Sequence, residues 1–156
     1  MQDIHLYNTL TQKKERLCPL VPGKLSMYIC GVTVYDYCHL GHARVYVVFD
    51  MIRRLFEHVG YAVNFVQNFT DIDDKIIDAA QKSGQPFQEL TRKFEDIYNE
   101  DMAVLGVKYP DIQPRATEHI PEMIDLTKKL IEQGHAYEKE GHVLFHVPSF
   151  QKYGCL

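Results

Sequence analysis

The chain has 156 residues, 46% of them apolar, and a formal net charge of −4. This length and apolar share suffice for a hydrophobic core and argue against disorder. The charge excludes a surface that grips nucleic acid by electrostatics alone, and no run reaches the roughly 18 apolar residues of a membrane span. The four cysteines, Cys18, Cys30, Cys38 and Cys155, form no C-x-x-C pair. The N-terminus has no apolar signal core, so a cytoplasmic protein with reduced thiols is expected.

Residues 24–30, KLSMYIC, predict a strand, because Leu25, Met27 and Ile29 alternate with Ser26 and Tyr28. Gly31 then relaxes the backbone. Residues 40–59 predict a helix: Val45, Val48, Phe49, Ile52, Phe56 and Val59 recur at three- and four-residue steps, and Gly60 closes it. Residues 61–69, YAVNFVQNF, predict a second strand with Val63, Phe65 and Gln67 on one face. Strand, helix and strand make a βαβ unit with parallel strands and a right-handed crossover. A short helix is expected over 71–82, with Thr70 as its N-cap and Ser83-Gly84 as its end. A longer helix over 86–105 starts at Pro86 and has Phe87, Leu90, Phe94, Ile97, Met102 and Leu105 on its apolar side. GVKYPDIQPRAT is proline-rich and irregular. A further helix covers about 118–133 and ends at Gly134. Residues 135–148 read as a hairpin turning at Glu140-Gly141, with His146 on a hairpin face.

In an open parallel sheet, ligands bind beyond the C-terminal ends of the strands. Residues 30–42, CGVTVYDYCHLGH, leave the first strand at that edge and enter a helix N-terminus, which favours anions. Two imidazoles there, His39 and His42, can donate to phosphate oxygens, and Gly41 between them lets a ring or phosphate approach the backbone. Three readings are open on physics alone. The stretch handles phosphate, or Cys30, Cys38, His39 and His42 hold zinc, or it is a structural turn with incidental histidines. TDIDDK is double in the same way. Asp71, Asp73 and Asp74 suit magnesium or a ligand amine, and equally suit a charged first helical turn. Thr70 ends the second strand and so faces the same edge as Cys30.

The combination of MYICGVTVYDYCHLGHAR, NFTDIDDKI, PRATEHI and the opening LYNTLTQKKE closely resembles the cysteinyl branch of the class I aminoacyl-tRNA synthetases. HLGH is similar to that class's H-I-G-H signature, with Leu40 in place of isoleucine. The resemblance implies an α/β fold: residues 1–115 as the first half of a Rossmann-like nucleotide-binding domain, and 116–156 as the start of an inserted connective region. It implies cysteine and ATP as substrates, ATP as its magnesium complex, and tRNA(Cys) as the acceptor, with no membrane partner and a monomeric full-length enzyme. His39 and His42 are implied as catalytic contacts to ATP, with Gly41 beside them. Gly31, Thr33 and Thr70 are implied as lining the amino-acid pocket, and Cys30 as one ligand of a single zinc ion.

Three further zinc ligands, a lysine-rich ATP loop and a helical anticodon-binding part belong to that family and do not occur in these residues. The chain is therefore expected to be a piece of a longer enzyme, inactive and aggregation-prone by itself. Two alternatives carry different acceptors or none. One is a related cysteine-activating ligase that uses an amino sugar. The other is a non-catalytic nucleotide-binding module.

Overall fold

The alternating and helical patterns condense into six strands and four α-helices over residues 3–155, which this computed structural model describes. In chain order these are β1 (His5–Asn8), β2 (Lys13–Arg16), β3 (Lys24–Ile29), α1 (Leu40–His58), β4 (Ala62–Gln67), α2 (Asp74–Ser83), α3 (Phe87–Val104), α4 (Ile120–Glu132), β5 (Ala136–Lys139) and β6 (His142–Phe145). The described residues form two compact units, 18–118 and 3–17 with 119–155. Residues 1, 2 and 156, the ends of the expected division, lie outside the described residues.

The first unit is built on the expected βαβ motif. β3 and β4 are parallel and in register from Lys24 opposite Ala62 to Ile29 opposite Gln67. Alternation places Leu25 and Ile29 inward from β3, and Phe65 and Gln67 inward from β4. The proline-rich segment read as irregular runs beside β4. Gln67 N–H donates to Ile112 O at 3.0 Å and Phe69 N–H to Pro114 O at 2.9 Å. Pro110 and Pro114 cannot donate to a ladder, so the pairing stays at isolated bridges, Val66 with Ile112 and Phe69 with Arg115. The core centres on Phe69, Ile76 and Val34, all essentially inaccessible. Tyr98 meets Phe69 and Tyr46 edge-on at 5.4 and 5.3 Å between ring centroids.

Three local expectations are corrected. On α1, Val45 and Val48 are 41% and 40% exposed, while Tyr46, Asp50, Arg53 and Phe56 are buried. The buried stripe is partly polar because it satisfies the segment that follows α3. Asp50 accepts the Lys108 N–H at 3.0 Å, and Arg53 donates to Tyr109 O and to Asp111, both at 2.8 Å. On α2, the N-cap is Asp73, whose carboxylate accepts the Lys75 N–H at 2.9 Å, and not Thr70. On α3, Leu105 lies beyond the helix and is exposed, and Thr91, Glu95 and Tyr98 join the buried face.

In the second unit, β1 and β2 form an antiparallel hairpin that no apolar alternation announces. Its strands, HLYN and KKER, are largely exposed. α4 carries Pro121 in its first turn, where the missing N–H costs nothing. β5 and β6 pair antiparallel, with Lys139 opposite His142. Glu140 and Gly141 between them both take positive φ, 54° and 78°, as a two-residue hairpin turn requires. Among the described residues no helix is long and apolar enough to cross a membrane.

Candidate active site

The loop leaving β3 is held against the end of β4 by one side chain. Asn68 Oδ1 accepts the Gly31 N–H at 2.9 Å and the Tyr28 hydroxyl at 2.8 Å. Its Nδ2 donates to Thr70 Oγ1 at 3.3 Å. A Cβ on Gly31 would collide with the Asn68 backbone carbonyl, so only glycine permits this approach. One step further, Thr70 N–H donates to Val32 O at 3.1 Å and Val34 N–H to Thr70 O at 3.4 Å. This makes a parallel bridge between Thr33 and Thr70. Gly31, Thr33 and Thr70 are thus brought together at the C-terminal edge of the β3–β4 pair, and all three are half-buried. Cys30 precedes them with its residue exposed.

The histidine pair has a different local cause. His39 is the N-cap of α1, with extended backbone angles, and its Nδ1 accepts the Gly41 N–H at 3.0 Å. His42 reaches back, and its Nδ1 accepts the His39 N–H at 3.2 Å. The two imidazoles form a reciprocal capping box in the places usually taken by Ser or Thr and Glu. The rings lie 4.0 Å apart. Each Nδ1 faces a donor, so each neutral ring carries its proton on Nε2. Burial, and then the neighbouring His39, push the His42 pKa below its ordinary value. The space expected above Gly41 is filled by the His39 ring, whose Cε1 and Nδ1 would lie 2.8 and 2.9 Å from a Cβ there. The first turn of α1 has no acidic residue, so no carboxylate within that turn offsets its positive end. A cavity of about 510 Å³ adjoins His39, lined also by Cys38, Ala43, Asp101, Met102 and Leu105. Burial raises the Cys38 thiol pKa, with Asp101 adding to it.

The carboxylates of TDIDDK take the structural option. Asp71 is buried and accepts the Thr117 N–H at 3.0 Å and the Thr117 hydroxyl at 2.5 Å. Asp73 caps α2 and Asp74 lies in its first turn. The zinc expectation is corrected. Among the described residues no group of three or more His, Cys, Asp or Glu side chains is placed to hold a metal ion. Both histidine Nδ1 atoms are already occupied by backbone donors, and Cys30 stands without converging ligands. Asn68 and Tyr28 were missed by the motif reading. A signal was present: Asn68 lies two residues before Thr70 in the extended stretch that continues β4, so alternation puts both on one face.

The family described as tRNA synthetases class I (C) catalytic domain matches residues 16–156. The cysteine–tRNA ligase of Geobacter metallireducens is 53% identical over 150 residues, covering 96% of this chain and 31% of that protein. That of Methanococcus maripaludis is 54% identical over 153 residues, covering 98% of this chain and 32% of that protein. The chain thus spans about a third of the length of these relatives. Among solved structures, Mycobacterium tuberculosis methionyl-tRNA synthetase in complex with methionyl-adenylate matches with TM-score 0.63 and 25% identity over 72% of this chain and 23% of that one. A leucyl-tRNA synthetase of Agrobacterium radiobacter, at TM-score 0.63 and 23% identity over 77% of this chain and 16% of that one, shares the fold. With the βαβ unit and the motif spacing, these matches establish an α/β, Rossmann-like class I synthetase fold, and the chain belongs to the family of cysteinyl class I tRNA synthetases.

Proposed function

We propose that this chain supplies part of the active site of a cysteine–tRNA ligase, which joins cysteine to ATP and then to tRNA(Cys). The observation that carries this reading is the reciprocal histidine cap. It leaves two Nε2–H donors at a helix N-terminus that has no acidic residue in its first turn. In the first step a cysteine carboxylate oxygen attacks the α-phosphorus of ATP, and the bond to the bridging oxygen breaks. Pyrophosphate leaves with the electron pair. Negative charge builds on phosphate oxygens, where His39 and His42 act as donors. In the second step a ribose hydroxyl of the tRNA terminus attacks the adenylate carbonyl and AMP leaves. No protein nucleophile is needed, and catalysis is positioning plus electrostatic stabilisation.

Gly31, Thr33 and Thr70 line the cysteine pocket in this reading, and Gly41 admits the His39 ring that faces ATP. Residues 1–115 serve as the first half of the catalytic domain and 116–156 as the start of an inserted region. The boundary of the compact units at 118/119 supports a division near there, while residues 3–17 group with the residues after it. The complete enzyme acts as a monomer in the cytoplasm, where four free thiols are at home. The 156-residue chain by itself is inactive.

Cysteine-dependent exchange of pyrophosphate into ATP by the complete polypeptide, followed by cysteinylation of tRNA, tests the reading. Exchange with tRNA charging supports it. Exchange without charging, but with transfer to an amino sugar, redirects it to the related ligase. ATP binding with no exchange reduces it to a nucleotide-binding module.

A further inference from the structure

We propose that Asn68 is a positioning residue that holds the Thr70 hydroxyl as a hydrogen-bond donor toward an oxygen of the bound amino acid. The inference rests on the reading of Thr70 as a pocket residue and adds the device that sets its polarity.

A backbone N–H can only donate, so the Gly31 N–H, 2.9 Å from the Asn68 side chain, fixes which end of the amide faces it. That end is the carbonyl Oδ1, which also accepts the Tyr28 hydroxyl. The amide nitrogen must then face Thr70, and its N–H donates to Oγ1 at 3.3 Å. A hydroxyl has one proton and two acceptor sites. Having accepted from Asn68, the Thr70 hydroxyl cannot send its proton back along the same line. Among the described residues that bond is the only one it makes, and Thr70 is half-buried at the strand edge. The proton is therefore presented to whatever occupies the pocket, and a carboxylate or carbonyl oxygen is the acceptor that suits it. One amide thus couples three things: the loop at Gly31, the strand residue Tyr28, and the donor sense of Thr70.

Asn68→Asp separates positioning from packing. The side chain keeps its shape, and one carboxylate oxygen still accepts from Gly31 and Tyr28. The other has no proton to give, so the Thr70 hydroxyl turns to donate to it, and a ligand meets only lone pairs. The experiment is pyrophosphate exchange by the complete polypeptide, with N68D, Thr70→Val and the double variant. N68D is expected to raise the KM for cysteine about tenfold, the scale of one lost hydrogen bond to a charged group. The KM for ATP is expected to change less than about twofold, and the thermal midpoint not at all. Thr70→Val should match N68D, and the double variant should be no worse than Thr70→Val. An unchanged cysteine KM in N68D, or effects of the two substitutions that multiply, would overturn the proposal.

If the unsubstituted polypeptide shows no cysteine-dependent exchange, the cysteine-pocket reading fails and Asn68 is judged by NMR. A through-space contact between the Asn68 amide protons and the Thr70 methyl is expected. So is a Gly31 amide that is protected from exchange in N68D and unprotected in Asn68→Ala. Absence of that contact overturns the assignment whatever the activity.

Discussion

The backbone of Gly31 lies against the carbonyl of Asn68 so closely that no other residue fits between them. This contact locks the loop after β3 onto the end of β4, beside the bridge between Thr33 and Thr70. Gly31→Ala should cost about 2–3 kcal/mol, as forced overpacking against rigid backbone does. Urea unfolding measures the loss, and the KM for cysteine should rise with it. A variant as stable as the parent would show that the two strand ends separate freely.

His39 caps α1, and its proposed role as a donor to ATP can be divided from that cap. His39→Ala removes the cap of α1 and should destabilise by about 1 kcal/mol. His39→Asn restores an accepting side chain at the N-cap but places no Nε2–H toward a ligand. It should recover most of the stability while pyrophosphate exchange stays down about 100-fold, the scale of one lost transition-state donor. Chemical denaturation and exchange rates on the complete polypeptide provide both numbers. Equal recovery of the two would make the histidine a cap and nothing more.

The capping box is sensitive to acid in a defined direction. The His42 pKa is depressed below 6.5 in the fold, by burial first and by His39 second. Its unfolded form binds a proton more readily, so the stabilisation is fully present above pH 6.5 and fades as pH falls through the lowered value. Protonation at Nδ1 would also turn an acceptor for the His39 N–H into a donor. Stability measured from pH 7 to pH 5 should fall, and His42→Gln should flatten that part of the slope. A slope unchanged by the substitution would place the titration elsewhere.

Glu95 is buried on α3 and receives Arg115, with Nη2 to Oε2 at 2.7 Å and Nε to both oxygens at 3.2 and 3.3 Å. Arg115→Met would leave that carboxylate without its partner and should cost about 3 kcal/mol. Glu95→Gln keeps a neutral acceptor for Arg115 and should cost less than half as much. Reversal of that order in denaturant titrations would show that Arg115, and not the buried acid, dominates the pair.

The solvent side of α1 carries Val45, Val47, Val48, Met51 and Leu55, each at least 40% exposed. Such a patch favours self-association of the 156-residue chain. Light scattering of that chain should rise with concentration, and Met51→Lys with Leu55→Lys should reduce it. Scattering that is flat with concentration in the unsubstituted chain would remove the patch as a liability.

The sequence by itself determined the local elements and the chemistry-bearing motifs. Alternation at Leu25, Met27 and Ile29 and the closing Gly60 are properties of short stretches, so β3 and the end of α1 were legible. The turn at Glu140-Gly141 was readable for the same reason. The helical periodicity of residues 40–59 by itself puts the histidines of HLGH at a helix start, where His39 is the N-cap. Only the tertiary structure decided which α1 face is buried, because Asp50 and Arg53 gain their partners from residues 108–111, far along the chain. It decided that Thr70 bridges to Thr33 while Asp73 caps α2, and that Asp71 pins Thr117. Among the described residues it also brings no further metal ligands to Cys30, and coordination requires several side chains to converge on one point. Periodicity and motif spacing encode what a residue can do, but its actual hydrogen-bond partner is set by segments that meet only when the chain has folded.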